Sequence, residues 1–345
     1  MRLLSATILL SMAAVVLLGS HLTPTALAQT AGSALNNWPN QNDVETVGKY
    51  SEREDGLRTV TVKYNGNQGL LKCTPQLSRH NGEVKALETL GRRFEPLGDV
   101  FVPRVLHTFS TGDGYYCMVL EATDGITLRK YILSLKNEKS EALLARLAMP
   151  IVDGVKHMHQ EGITHGNINP DNIFVKSRDG SLDFKVTFTG FEPIDRNTPP
   201  KRGMYGYIPP EEYAALRVHP YERDAWMLGA TLYFATNGMP PYGYTYSKNH
   251  PVLLPVPTKD LQNAMNEAAV HGRNSYSPIQ TKNQALLDVI KEFLAGKTED
   301  RLKVLEYSDL RKIRIMLGGA PTKRPFLENM RDKLKTKMPP KDTPN

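Results

Sequence analysis

Cysteine is nearly absent from this chain: Cys73 and Cys117 are the only two in 345 residues. Two thiols cannot knit a disulfide scaffold, so the fold must rest on a buried apolar core, which a chain of this length can supply. No Asn-x-Ser/Thr acceptor with a permitted middle residue occurs, so N-glycosylation is not expected. Beyond residue 28 no apolar run approaches membrane-spanning length, and no internal repeat of useful period is visible. Charge of one sign is also scarce. The formal net charge of +7 is modest for this length, and part of the excess lies between Lys323 and Lys341. A solvated basic face accounts for it, and no nucleic-acid partner is expected.

What is present begins at the N-terminus. Met1-Arg2 is followed by mostly apolar residues from Leu3 to Gly19 and then by Ala26-Leu27-Ala28. A charged start, an apolar core and a small-x-small site form the pattern of a secretory signal peptide over residues 1–28. A transmembrane anchor is the competing reading, but the run is barely long enough and the cleavage site follows at the expected distance. The chain is expected to be secreted, without stable membrane insertion, into a compartment that permits one disulfide bridge.

Residues 29–45 are polar, with Asn36, Asn37, Asn40, Gln41 and Asn42, and read as a linker. From Arg58 the pattern turns to β: "RTVTVKY", then Asn65-Gly66-Asn67, then "GLLKC", two strands and a tight turn. "GEVKALETL" sets Val84, Leu87 and Leu90 on one helical face, and "FVPRVLHTF" and "YYCMVLEA" supply two more strands. After about Thr127 the chain is mainly helical, with a long apolar helix through Leu143, Leu147, Ile151, Val155 and Met158. "DAWMLGATLYFAT" and "QALLDVIKEFLA" give two more. A small β-rich lobe over 46–121 and a larger helical lobe over 122–338, with a flexible tail at 339–345, make an α+β fold. The crevice between the lobes is the default ligand site.

The order of short motifs over roughly residues 58–310 resembles the protein kinase fold. "GLLKC" looks like the strand that carries the phosphate-pairing Lys, Lys72, and "GEVKAL" like the helix that supplies its partner, Glu83, with Glu88 as the alternative. "CMVLEATDG" resembles the hinge, "HMHQEGITHGNINPDNIFV" the catalytic-loop region and "FKVTFTGFEP" the metal-binding strand and turn. "YGYIPPEEY" looks like the end of the activation segment, "DAWMLGATLYFATNGMPPYG" like the central helix, and "KTEDRL" like the late motif whose Arg301 pairs with Glu211. The resemblance makes His165, Glu211, Asp224 and Arg301 structural, and sets Cys73 and Cys117 on neighbouring strands, as a disulfide or as two buried thiols. His157, His159 and His165 raise the question of a metal, but His157 and His159 lie about 200° apart around a helix, a poor chelating arrangement.

Phosphoryl transfer needs a phosphate-covering loop, a Lys on the phosphates, metal-binding carboxylates and a carboxylate base. The resemblance implies that most are missing. His165 to Asn172 fill the eight catalytic-loop positions, with Asn167 where the basic Asp belongs, Asn169 in place of a Lys, and Gly166 in place of an Arg. An amide has no useful basicity at neutral pH. Asp171 is the nearest carboxylate, at a variable family position. Phe188 stands at the principal metal carboxylate and offers no oxygen to a hard cation. Asn172, the match for the second metal ligand, is retained, either as a remnant of a nucleotide site with Lys72 and Glu83 or to bond loop backbone. Upstream of "RTVTVKY" the only glycines are Gly48 and Gly56 before the polar linker is reached, so no Gly-rich phosphate cradle is present.

The combination resembles the secreted rhoptry and dense-granule kinase family of apicomplexan parasites, in the branch without a Gly-rich loop that includes a bradyzoite cyst-wall pseudokinase. That implies a catalytically inactive scaffold in the parasitophorous vacuole or cyst wall, binding a protein there or an active kinase. No cofactor or metal is expected, and the losses count against ATP binding. The alternative is a divergent phosphotransferase or nucleotidyltransferase that uses Lys72, Asn172 and a displaced carboxylate, with Glu192 and Asp195 as candidates. The tail sets Leu327, Met330, Leu334 and Met338 on one stripe with basic residues between, expected to pack on the large lobe, with a membrane or partner contact as the alternative.

Overall fold

The computed structural model describes residues 38–302 and Val304, apart from positions 40, 42, 96–100, 136–139, 178–182, 193–202 and 248–251. The signal segment and the stripe beyond Leu327 lie outside the described residues, as does Asp195. The chain divides into a β-rich unit, reaching to Arg93 and including Pro103–Thr123, and a mainly helical unit of Phe94–Val102 and the residues from Asp124 onward. The fold is α+β.

The first unit is built from β1 (Val44–Thr46), β2 (Ser51–Glu52), β3 (Arg58–Tyr64), β4 (Asn67–Thr74), helix α1 (Leu77–Phe94), β5 (Val105–Ser110) and β6 (Tyr116–Glu121). Its antiparallel sheet runs β1-β3-β4-β6-β5, with β2 also paired to β3. Period-two alternation sorts the faces. Val60, Val62, Leu71, Cys73, Cys117 and Val119 form one apolar cluster, joined by Val44 and flanked by Trp38, Tyr50 and Tyr115. Lys72, Met118 and Leu120 alternate with them along β4 and β6. The turn Asn65-Gly66 joins β3 to β4, with both residues at positive φ (48° and 79°), a hairpin geometry that Asn-Gly supplies at low cost.

The expected linker over 29–45 is corrected at its end. Val44–Thr46 pairs with Val62–Tyr64, and Trp38 packs on Tyr50 and Tyr115, so the polar stretch closes with residues that belong to the sheet. A strand of three residues is too short to leave a periodic signal among asparagines.

The second unit begins with Phe94–Val102 and continues through β7 (Ile126–Thr127), α2 (Leu128–Ser134), α3 (Glu141–Gln160), β8 (Ile173–Ser177) and β9 (Phe184–Phe188). Then come α4 (Pro210–Tyr213), α5 (Pro220–Asn237), β10 (Tyr244–Tyr246), β11 (Leu253–Pro255), α6 (Thr258–His271), α7 (Gln284–Phe293) and a 3-10 turn at Thr298–Asp300. Ser140 caps α3 by accepting the Leu143 N–H (3.1 Å), and Asn283 caps α7 at Leu286 N (3.1 Å). Helix α5 is almost wholly buried, its charged residues Glu222, Arg223 and Asp224 included, and α3 and α7 both pack on it. The sequence expectation missed α6, whose buried Leu261, Met265 and Ala268 are a thin stripe in a polar segment. It also missed the short β10-β11 hairpin.

Candidate functional site

In the first unit, strand β4 delivers Lys72 and α1 delivers Glu83. Lys72 Nζ lies 2.6 and 2.7 Å from the two carboxylate oxygens of Glu83, and both side chains are buried. Glu88, the alternative partner, is exposed. A buried ammonium is tolerable only when paired in this way. One helical turn earlier, Arg79 Nη1 reaches Asp55 Oδ2 at 2.7 Å. Asp55 belongs to the turn between β2 and β3, just upstream of "RTVTVKY". Cys73 and Cys117 sit directly opposite each other in β4 and β6 and are joined as a disulfide.

In the second unit, the loop from His165 to Asn172 hangs from Asp224 of α5. The Asp224 carboxylate accepts the backbone N–H of His165 (2.7 Å) and of Gly166 (2.8 Å), and it contacts His159 Nε2 at 3.0 Å. Burial alone would raise the Asp224 pKa, but His159, His165 and the Gly166 amide hold it below the ordinary value. The ring of His165 stacks on Phe191, and its Nδ1 accepts the Asn167 N–H at 3.2 Å.

The three loop asparagines bond one another. Asn169 Nδ2 donates to the backbone and side-chain oxygens of Asn167, both at 3.0 Å, and Asn169 Oδ1 accepts the Asp171 N–H at 2.9 Å. Asn172 Nδ2 donates to Asn167 O at 2.9 Å, and the Asn172 carbonyl accepts the Thr189 N–H at 2.9 Å. Asn172 therefore bonds loop backbone. Asp171, the single carboxylate of the loop, is bound through both oxygens to Arg129 Nε at 2.8 and 2.9 Å. Burial disfavours the charge on Arg129, yet Tyr207 and Asp171 hold its pKa above the usual range. Its guanidinium also lies 4.9 Å from the centre of the Phe234 ring.

Phe188 ends β9 with its ring wholly buried, edge-on to Phe101 and beside His165. It fits because Gly154 of α3 has no side chain: a Cβ there would stand 2.4 Å from the phenyl edge. Two residues on, Gly190 lies at φ 71°, so close to Asn172 that a Cβ would come within 2.7 Å of Oδ1. Glu192 is buried and its backbone N–H bonds His165 O at 2.8 Å. The three histidines weighed as metal ligands go separate ways, with His157 stacked on Phe94, His159 at Asp224 and His165 on Phe191. Among the described residues no group of three or more His, Cys, Asp or Glu side chains is placed to hold a metal.

Arg301 and Glu211 form a bidentate buried pair at 2.7 and 2.9 Å, and the same guanidinium bonds the carbonyls of Glu222, Ala295 and Gly296. Sequence reasoning missed Arg223. Its Nη1 donates to the Gly166 carbonyl and its Nε to Glu212 Oε1 at 2.5 Å, so a buried guanidinium lies beside the loop position that lacks a side chain. The signal was available: a charged residue heads one of the most apolar runs in the sequence. Arg129, Asp55 and Arg79 were also missed, and for them no local pattern announces the partner.

A sequence model of the protein kinase domain matches residues 80–310. Rhodopsin kinase grk7a of Danio rerio is 24% identical over 269 residues, covering 75% of this chain and 45% of that protein. Serine/threonine-protein kinase PknD of Mycobacterium tuberculosis is 27% identical over 205 residues, 57% of this chain and 28% of its own length. Serine/threonine-protein kinase PLK4 of Nematostella vectensis is 28% identical over 141 residues, 40% and 14% respectively. The chain spans less than half the length of these relatives. With a match across two thirds of its residues, the buried Lys72–Glu83 pair and the Glu211–Arg301 pair in their expected order, the chain belongs to the protein kinase domain family.

Proposed function

We propose that this chain is a secreted pseudokinase, a kinase domain that transfers no phosphate and acts as a protein-binding or allosteric scaffold. The observation that carries this is the loop from His165 to Asn172. Its three amides bond one another and the loop backbone, and its one carboxylate is bound by Arg129. A general base must be free to accept a proton, and Asn167 has none of the basicity the step requires. Phe188 adds to this, since a buried phenyl ring at the metal position provides no oxygen ligand. The turn between β2 and β3 carries Arg53-Glu54-Asp55 in place of a Gly-rich cradle, and its Asp55 is bound to Arg79 of α1.

The Cys73–Cys117 disulfide supports an oxidising compartment, in keeping with the N-terminal signal pattern. Among the described residues no helix is long and apolar enough to cross a membrane. The finer placement is in the branch of the apicomplexan rhoptry and dense-granule kinases that lacks a Gly-rich loop, in the parasitophorous vacuole or cyst wall. The partner would be an active kinase or another protein of that compartment. N-terminal sequencing of chain recovered from that compartment should begin at Gln29.

The test of inactivity is the intact mass of the purified chain and of generic protein substrates after incubation with ATP and Mg²⁺ or Mn²⁺. No added phosphate or nucleotide is expected. A second reading, a divergent phosphotransferase or nucleotidyltransferase, is favoured by the closed Lys72–Glu83 pair. It requires a mass gain that Lys72→Ala abolishes, and a gain unchanged in that variant eliminates it.

A further inference from the structure

Arg79 is in an unfavourable place for a cation. It lies in the first turn of α1, where the helix dipole is positive, its side chain is buried, and the turn has no acidic residue of its own. Glu83 lies one turn further on the same helical face. The two are held by opposite charges from the sheet side: Asp55 Oδ2 at 2.7 Å from Arg79 Nη1, and Lys72 Nζ at 2.6 Å from Glu83.

The turn that presents Asp55 is built for this seat. Arg53 N donates to Leu57 O and Gly56 N to Arg53 O, both at 2.9 Å, and Leu57 N donates to Asp55 Oδ1 at 3.2 Å. Gly56 stands at φ 77°, where a Cβ would come within 3.1 Å of the Pro75 ring immediately before α1. Asp55 is thus aimed from two sides, by its own Asx turn and by the close approach of Gly56 to the start of the helix. Burial opposes its ionisation, but Arg79 and Arg53 hold its pKa below the ordinary value.

We infer that residues 53–57 are a latch that fixes α1 on the sheet through Asp55 and Arg79, so that closure of the Lys72–Glu83 pair needs no bound nucleotide. The loop position that would otherwise cover phosphates is committed to the helix. This holds on the geometry of the first unit alone, whether or not the chain is active.

Hydrogen-exchange mass spectrometry of the full chain tests it. Asp55→Asn, which keeps the shape and removes the charge, should speed exchange of α1 amides by about tenfold and leave the second unit unchanged. Gly56→Ala, which unseats the turn, should do the same. Arg53→Ala removes the other cation on Asp55 while Arg79 stays in place, and it should leave α1 protected. The exchanged pair Asp55→Arg with Arg79→Asp should restore protection, and it keeps the test decisive if a single variant folds poorly. Unchanged α1 exchange in Asp55→Asn, or an equal rise across both units, overturns the latch.

Discussion

Asp171 meets Arg129 through both carboxylate oxygens, at 2.8 and 2.9 Å from one guanidinium nitrogen. The only carboxylate of the loop is thereby neutralised within the second unit. Restoring an acid at Asn167 should therefore not restore chemistry. Asn167→Asp adds a carboxylate, but Asn169 supplies no cation and Phe188 no metal ligand, so phosphate transfer measured by mass should stay at background. Phe188→Asp would bury an unpaired carboxylate against Gly154 and Phe101 and should cost on the order of 3 kcal/mol or more of stability. Transfer by Asn167→Asp alone would contradict this account of the loop.

Asp224 gives a pH-dependent prediction. Its native pKa is held below the ordinary 3.8, so its contribution to stability is complete above that pH and is lost as pH falls through the depressed native value. In Asp224→Asn the acceptors for the His165 and Gly166 amides weaken and an amide donor faces backbone N–H groups. Loss on the order of 3 kcal/mol is expected at neutral pH, with a shallower fall in stability on acidification than in the unaltered chain. Denaturant unfolding at pH 7 and at pH 2 to 3 measures both. Equal acid sensitivity in the variant would show that other carboxylates carry the effect.

The bridge between Cys73 and Cys117 predicts a non-reducing peptide map in which the β4 and β6 peptides run as one mass. Replacing both by Ala should lower stability by about 2–4 kcal/mol, the range expected for a closed loop of several dozen residues. Two free thiols in the folded chain would remove the bridge. Since the cysteines lie on the face of β4 away from Lys72, the Lys72–Glu83 pair should survive the double replacement.

Much of the fold was legible because it is written in periodicity. Val60 and Val62 alternate, the α3 and α7 stripes repeat at helical spacing, and the Lys72, Glu83, Glu211 and Arg301 positions come in family order. The short elements were not, since β1 and the β10-β11 hairpin are three-residue strands with little pattern to read. In the site, residue types revealed what chemistry Asn167 and Phe188 lack, but not how the remaining charges are used. Asp171 with Arg129, Arg223 with Gly166, and Asp55 with Arg79 join positions 24 to 57 residues apart, and only the folded backbone brings them together.

Thermal unfolding of the chain across an ATP titration, alone and with Mg²⁺ or Mn²⁺, shows whether a metal-nucleotide site survives beside Phe188. A ligand at a hundred times its dissociation constant would stabilise the native state by about 2.7 kcal/mol, enough to raise the midpoint by roughly 2–4 °C per kcal/mol in a domain of this size class. No shift is expected in any condition. A shift that appears only with metal would contradict this, because it would require a metal-nucleotide site at a position where Phe188 supplies no ligand.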